Sequence, residues 1–199
     1  MIVGSAAAFA GTWWLERGDV EAELRGTARV LAMDLSDRMH SIRELSGAEP
    51  IASRSDADLR WCVRSGLSQQ VLVSRVWQRR CSRLDPTLNF DERLQSLLDT
   101  NTSGLFWPRS DRKLLASRLS HSEWFDVVDA VTEWERFRKS GGWFTRAGTF
   151  RTHLVDEWFD EFGMYRRGGR RQVLDFQLAA QRVALALELG YRALQAHAS

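Results

Sequence analysis

An all-α bundle, with long first and last helices framing shorter ones, is the fold class this sequence predicts. Three observations predict it. Apolar residues recur at steps of three and four near both ends of the chain, the middle divides into short amphipathic runs, and a complete capping box opens the best-marked of those runs.

The first helix is predicted from Glu16 to Leu45. Val20, Leu24, Ala28, Leu31, Leu35, Met39 and Ile42 form one face, and Glu21, Arg25, Asp34, Asp37, Arg38 and Arg43 the other. Gly18 and Gly26 each weaken it by about 1 kcal/mol relative to alanine, so it needs a partner surface or continuity with the apolar segment ahead of it. Ser46-Gly47 supplies a stop.

Residues 1–15, MIVGSAAAFAGTWWL, form a separate apolar segment ahead of a single helical domain at 16–199. As a helix the segment spans about 22 Å, short of a hydrocarbon core of about 30 Å. It has no basic n-region, so it fails as a secretory signal. Two readings remain: a truncated membrane anchor, or the core-packed start of a helix. The membrane reading is preferred. It puts Trp13, Trp14 and Arg17 at the membrane interface, with Arg17, Arg25 and Arg29 holding the rest of the chain on the cytoplasmic side.

After the first helix, Ser46 to Asp58 is small and polar and reads as a linker or exposed loop. Leu59 to Leu84 reads as helix, with a short strand as the alternative, and gathers Arg75, Arg79, Arg80 and Arg83 on its polar side. Asp85-Pro86 breaks the chain, Asp91–Leu98 is a short helix, and Asp99–Gly104 is a turn. A further short helix after Trp107-Pro108 takes Ser110 as N-cap and buries Leu114, Leu115 and Leu119. Ser120-His121-Ser122-Glu123 is the capping box; Trp124, Val127, Val128, Val131 and Trp134 line the helix it opens, and Ser140-Gly141-Gly142 closes it. Phe150 to Phe162 is amphipathic through Leu154, Trp158 and Phe162. Arg166–Arg171 is a loop, and the last helix, Gln172 to Ala196, is apolar around most of its circumference, as a helix in the middle of a bundle is. Asp175, Gln181, Arg182 and Glu188 argue against its crossing a membrane.

Composition narrows the function classes. A net charge of +2 is small for a dedicated nucleic-acid binder. Lys113 and Lys139 are the only lysines among 28 basic residues, a bias that points to a GC-rich bacterial genome and not to an activity. Nine tryptophans favour core, interface and membrane-edge positions, where a large apolar body with one N–H is satisfied. Cys62 and Cys81 match no zinc pattern and no disulfide framework, and read as free thiols of a reducing cytoplasm.

The chemical motifs come up short. The histidines lack metal-ligand spacing; Asp37-Arg38-Met39-His40 is one carboxylate-x-x-His motif where di-metal bundles need two, so His40 reads as solvated. No nucleophile elbow or phosphate-cradling glycine loop is present. Glu133, Glu135, Asp156, Glu157, Asp160 and Glu161 read as solvated helix faces. Glu-Trp-Phe-Asp occurs at Glu123–Asp126 and again at Glu157–Asp160, but its flanks do not match and no repeat is inferred. No catalytic, cofactor-binding or metal-ligating residue is assigned. The pairs Arg166, Arg167 and Arg170, Arg171, on a glycine hinge, are candidates for gripping anionic phosphates of lipid headgroups or nucleic acid.

The apolar start, the helix RGTARVLAMDL, then Leu115-Ala116-Ser117-Arg118-Leu119 and Glu123-Trp124-Phe125-Asp126-Val127-Val128-Asp129-Ala130 together resemble a loose group of uncharacterised bacterial single-pass membrane proteins with a cytoplasmic helical domain. The resemblance implies N-terminal anchoring and carries over no functional residues. The expected function is a membrane-associated, non-enzymatic protein-interaction or scaffold module on the cytoplasmic side of the cell membrane. Its expected partners are an unidentified protein or a second copy, and the inner leaflet. The alternative is a soluble cytoplasmic bundle that binds nucleic acid or anionic phosphates through its arginine clusters.

Overall fold

The computed structural model describes the backbone of residues 3–46, with side chains from 18 to 43, and residues 54–82, 105, 107–139, 141–146, 149–162 and 164–198. Among the described residues the elements are α1 (Val3–Ser46), α2 (Asp56–Ser65), α3 (Gln69–Leu72), α4 (Arg75–Cys81), α5 (Arg109–Arg118), α6 (His121–Lys139), α7 (His153–Trp158) and α8 (Gly169–Gln195). The architecture is all-helical, with long first and last helices packed together and shorter helices between.

Helix α8 is the axis. Every residue from Ala180 to Gly190 is buried, because α1 and α6 cover one side of the helix and α2 another. Two cores result. The larger joins Leu31, Leu35 and Ile42 of α1 to Val127 and Trp134 of α6 and to Phe176, Val183 and Leu187 of α8. The smaller sets Leu59, Val63, Leu72 and Trp77 against Leu178, Leu185 and Leu189 of α8. Three helices meet at Gly190, where a Cβ would lie 2.6 Å from the Ala130 Cβ and 3.1 Å from Leu35 Cδ1, so only a hydrogen lets them close.

The predicted capping box is formed. Ser120 N–H donates to Glu123 Oε2 (2.8 Å) and Glu123 N–H to Ser120 Oγ (3.4 Å). Helix α6 gives way to Gly141 and Gly142, whose φ of 94° and 70° suit glycine. Leu115 and Leu119 are buried as predicted.

Five expectations are corrected. The 46–58 linker ends at Ser55, which caps α2 by accepting from Asp58 N–H at 3.2 Å, and Asp56 and Asp58 occupy the first helical turn. The 59–84 helix is three short helices, since Gly66 closes α2 and Ser74 restarts the chain by capping Trp77 N–H. Helix α5 starts at Arg109 after Pro108, and Ser110 lies within it. Phe162 is 80% exposed, because α7 stops at Trp158 and Phe159 pairs with Tyr165 instead. Helix α8 begins at Gly169 and so takes Arg170 and Arg171 into its first turn; a side chain at Gly169 would collide with the Trp158 carbonyl oxygen. The 91–98 helix and the 99–104 turn lie outside the described residues.

The cysteines are not free thiols. Cys62 and Cys81 form a disulfide with Cα atoms 5.6 Å apart, and both are fully buried. Trp77 explains how α4 meets α2: its Nε1–H donates to the Cys62 carbonyl at 2.9 Å, which lays α4 on α2 and brings Cys81 to its partner.

Candidate functional site

The most developed polar feature is a cavity of about 380 Å³ between α8, α6 and the α2–α3 corner. Helix α8 contributes Asp175, Ala179 and Arg182. These recur at steps of four and three, so they share one face, and Ala179 leaves open floor between the two charged side chains. Helix α6 contributes Arg136 and Phe137, and Trp143 closes that wall. Across from them stand Leu67, Gln69 and Leu72.

Arg182 is only 8% exposed. Its Nη2 forms an ion pair with Glu133 Oε2 at 2.5 Å; its Nε and Nη1 are sealed from solvent and find no acceptor among the described residues. Burial pushes the guanidinium below its ordinary range, and Glu133 opposes that shift. Glu133 also pairs through Oε1 with the half-exposed Arg136. Thus Glu133 is a buried bridge between two arginines, which corrects its expected place on a solvated face. Gly66 positions the stem of Arg182: a Cβ there would lie 2.7 Å from Arg182 Cδ. The disulfide in turn fixes α2 and hence Gly66.

A second group of buried charges ties the layers together. Arg60 of α2 grips Asp126 of α6 through three hydrogen bonds of 2.7–3.1 Å. Glu188 of α8 is clamped by Arg43 of α1 and by Arg192, which also reaches Asp56 Oδ1 at 3.0 Å. These carboxylates are saturated by arginine and serve the packing.

The residues singled out in the sequence do not converge on the cavity. Trp13, Trp14 and Arg17 lie along α1 with side chains outside the described set. The four loop arginines fall on two elements, Arg166 and Arg167 ahead of α8 and Arg170 and Arg171 in its first turn. Arg166 donates from Nε to the Phe159 carbonyl at 2.8 Å, while Arg167, Arg170 and Arg171 are exposed. Of the other cluster, Arg75 and Arg79 are exposed, Arg80 pairs with Asp58 (2.9 Å) and stacks over Trp61, and Arg83 is outside the described residues. The two Glu-Trp-Phe-Asp runs differ in structure: one opens α6 and the other straddles the end of α7. His40 is exposed, and among the described residues no group of three His, Cys, Asp or Glu side chains could hold a metal ion. Sequence reasoning missed Arg182 and Glu133; their one signal was a charged residue on an otherwise apolar helix face.

No protein-family model, curated protein or solved structure matches this chain.

Proposed function

We propose that this chain is a membrane-associated helical interaction module that acts by binding and not by catalysis. One observation carries the reading: α1 is a single helix from Val3 to Ser46, so the apolar N-terminal segment is continuous with an element that packs along α8. At about 1.5 Å per residue such a helix extends about 66 Å. The first described side chain on it to pack against the core is Leu24. Among the described residues no helix is long and apolar enough to cross a membrane. In this reading residues 1–15 are the segment that meets the membrane, with Trp13 and Trp14 at its edge.

Two features support the interaction role. The buried ion pairs engage Asp126 and Glu188 with arginines in a way that stiffens the bundle. On α1, Val30 and Met33 are 70% and 61% exposed, and Met33 lines a groove of about 360 Å³ with Asp37, Tyr191 and Gln195. The buried disulfide weighs toward the oxidising face of the membrane over the cytoplasmic one, since disulfides persist in oxidising compartments.

Fractionating cells that express the native gene tests the anchor. Recovery in the membrane fraction, resistant to a high-salt wash, is expected. A product found wholly in the soluble fraction would end the membrane reading.

A further inference from the structure

We infer that copies of this chain bind one another, the basic outer face of α4 in one copy taking the acidic turn after α7 of the next. This gives the interaction reading its partner, and it holds whether or not residues 1–15 meet a membrane.

Two exposed apolar sites start the argument. On α4, Trp77 and Cys81 are buried in the smaller core, which turns Arg75, Val76 and Arg79 outward. Val76 is 68% exposed, and one turn along the helix Arg80 lies over the Trp61 ring at 4.2 Å. After α7, Phe162 is 80% and Met164 66% exposed. That second site is held in place. The Phe162 and Met164 N–H groups both donate to Asp160 Oδ1, at 3.0 and 2.8 Å, and Asp160 N–H donates to the Met164 carbonyl at 2.9 Å. An aromatic side chain offered to water on a turn already fixed in shape loses little freedom when a partner covers it.

Charge then selects the occupant. Residues 59–82 hold five arginines and no carboxylate, and residues 156–165 hold four carboxylates and no cation. Arg166, the first cation after the turn, is directed back at the Phe159 carbonyl. No ion pair among the described residues engages Arg75, Arg79, Glu157 or Glu161. The two surfaces thus share one plan with opposite signs: an apolar centre, Val76 or Phe162, beside charges that can pair across a contact. An anionic lipid leaflet would suit α4 and repel the turn. A nucleic-acid backbone would leave both Val76 and Phe162 in water. A second copy covers both surfaces, in a heterologous contact, since face and turn are different parts of the chain.

The test is sedimentation of the purified full chain over a range of concentrations, at low and at high salt. Reversible self-association that weakens as salt rises is expected. Arg75→Glu with Arg79→Glu, and separately Glu157→Arg with Glu161→Arg, should each weaken it about tenfold or more and leave the melting temperature unmoved. An equimolar mixture of the two variants should associate as the wild type does, because every contact then joins opposite charges again. Phe162→Ser should weaken association with the charges intact. The inference is overturned by a chain that stays monomeric, by a mixture that fails to associate, or by association that both charge variants keep, as contact through residues 1–15 alone would give. It is also overturned if the chain stays monomeric and binds phosphatidylglycerol vesicles in a way that Arg75→Glu with Arg79→Glu abolishes, since the face then belongs to lipid.

Discussion

Removing the Cys62–Cys81 bond is the most quantitative perturbation that the fold offers. The bridge joins residues 19 apart in sequence and closes a loop containing the last turn of α2 and all of α3 and α4. In the chain-entropy account, closing a loop of that length restricts the unfolded chain by about 11 cal/mol/K, or about 3 kcal/mol at room temperature. Both sulfurs sit in the smaller core, so a Cys62→Ala, Cys81→Ala double variant adds a modest packing loss to that figure. For a chain of this size each kcal/mol moves the melting temperature by about 2–4 °C, so a fall of about 6–12 °C is expected. Thermal unfolding followed by circular dichroism measures it, and adding a reductant to the wild type under unfolding conditions should reproduce most of the drop. The reasoning is refuted if the variant melts within about 1 °C of wild type. It is equally refuted if the purified, denatured protein, never exposed to reductant, titrates as two free thiols.

Three further outcomes are expected from contacts elsewhere. Gly190→Ala forces α6 away from α8, since the new methyl would sit 2.6 Å from the Ala130 Cβ; a loss of about 1–3 kcal/mol in chemical denaturation is expected, and Ala130→Gly should recover part of it. Arg60→Ala strands the buried Asp126 carboxylate and should cost about 2–3 kcal/mol, whereas Arg60→Ala with Asp126→Ala should cost less than Arg60→Ala alone; urea midpoints decide. Glu123 is held below the usual carboxylate range, first by the Ser120 hydroxyl and then by the Ser120 backbone and His197, with burial opposing. A depressed carboxylate contributes stability above its unfolded pKa and loses it as pH falls through the folded one. Glu123→Gln should therefore lower the melting temperature at neutral pH, and the difference should vanish once the medium is acid enough to protonate Glu123.

Periodicity carried the large elements. The α1 face of Leu31, Leu35 and Ile42 and the all-round burial of α8 were both legible, because a helix that must bury a stripe writes it at steps of three and four. The capping box was legible because its chemistry is local. Helix breaks at single residues were harder. Ser74 caps α4 in a stretch whose apolar residues also fit one continuous helix, and nothing local says that the chain turns there. The disulfide was illegible because a lone tertiary bridge has no spacing rule; it exists because Trp77 docks on the Cys62 carbonyl. The cavity was illegible for the same reason. In the sequence Asp175 and Arg182 are only charges unsuited to a membrane, and their meaning depends on Glu133 and Arg136 arriving from α6 and Gly66 from α2.

Membrane placement and compartment are tested together by one measurement on cells expressing the native gene. The cells are fractionated, and each fraction is treated under denaturing conditions with a thiol-reactive mass tag. The protein is expected in the membrane fraction and untagged until a reductant is added, with Cys62 and Cys81 oxidised. A soluble protein that takes up two tags without reduction would contradict both the anchor and the bridge.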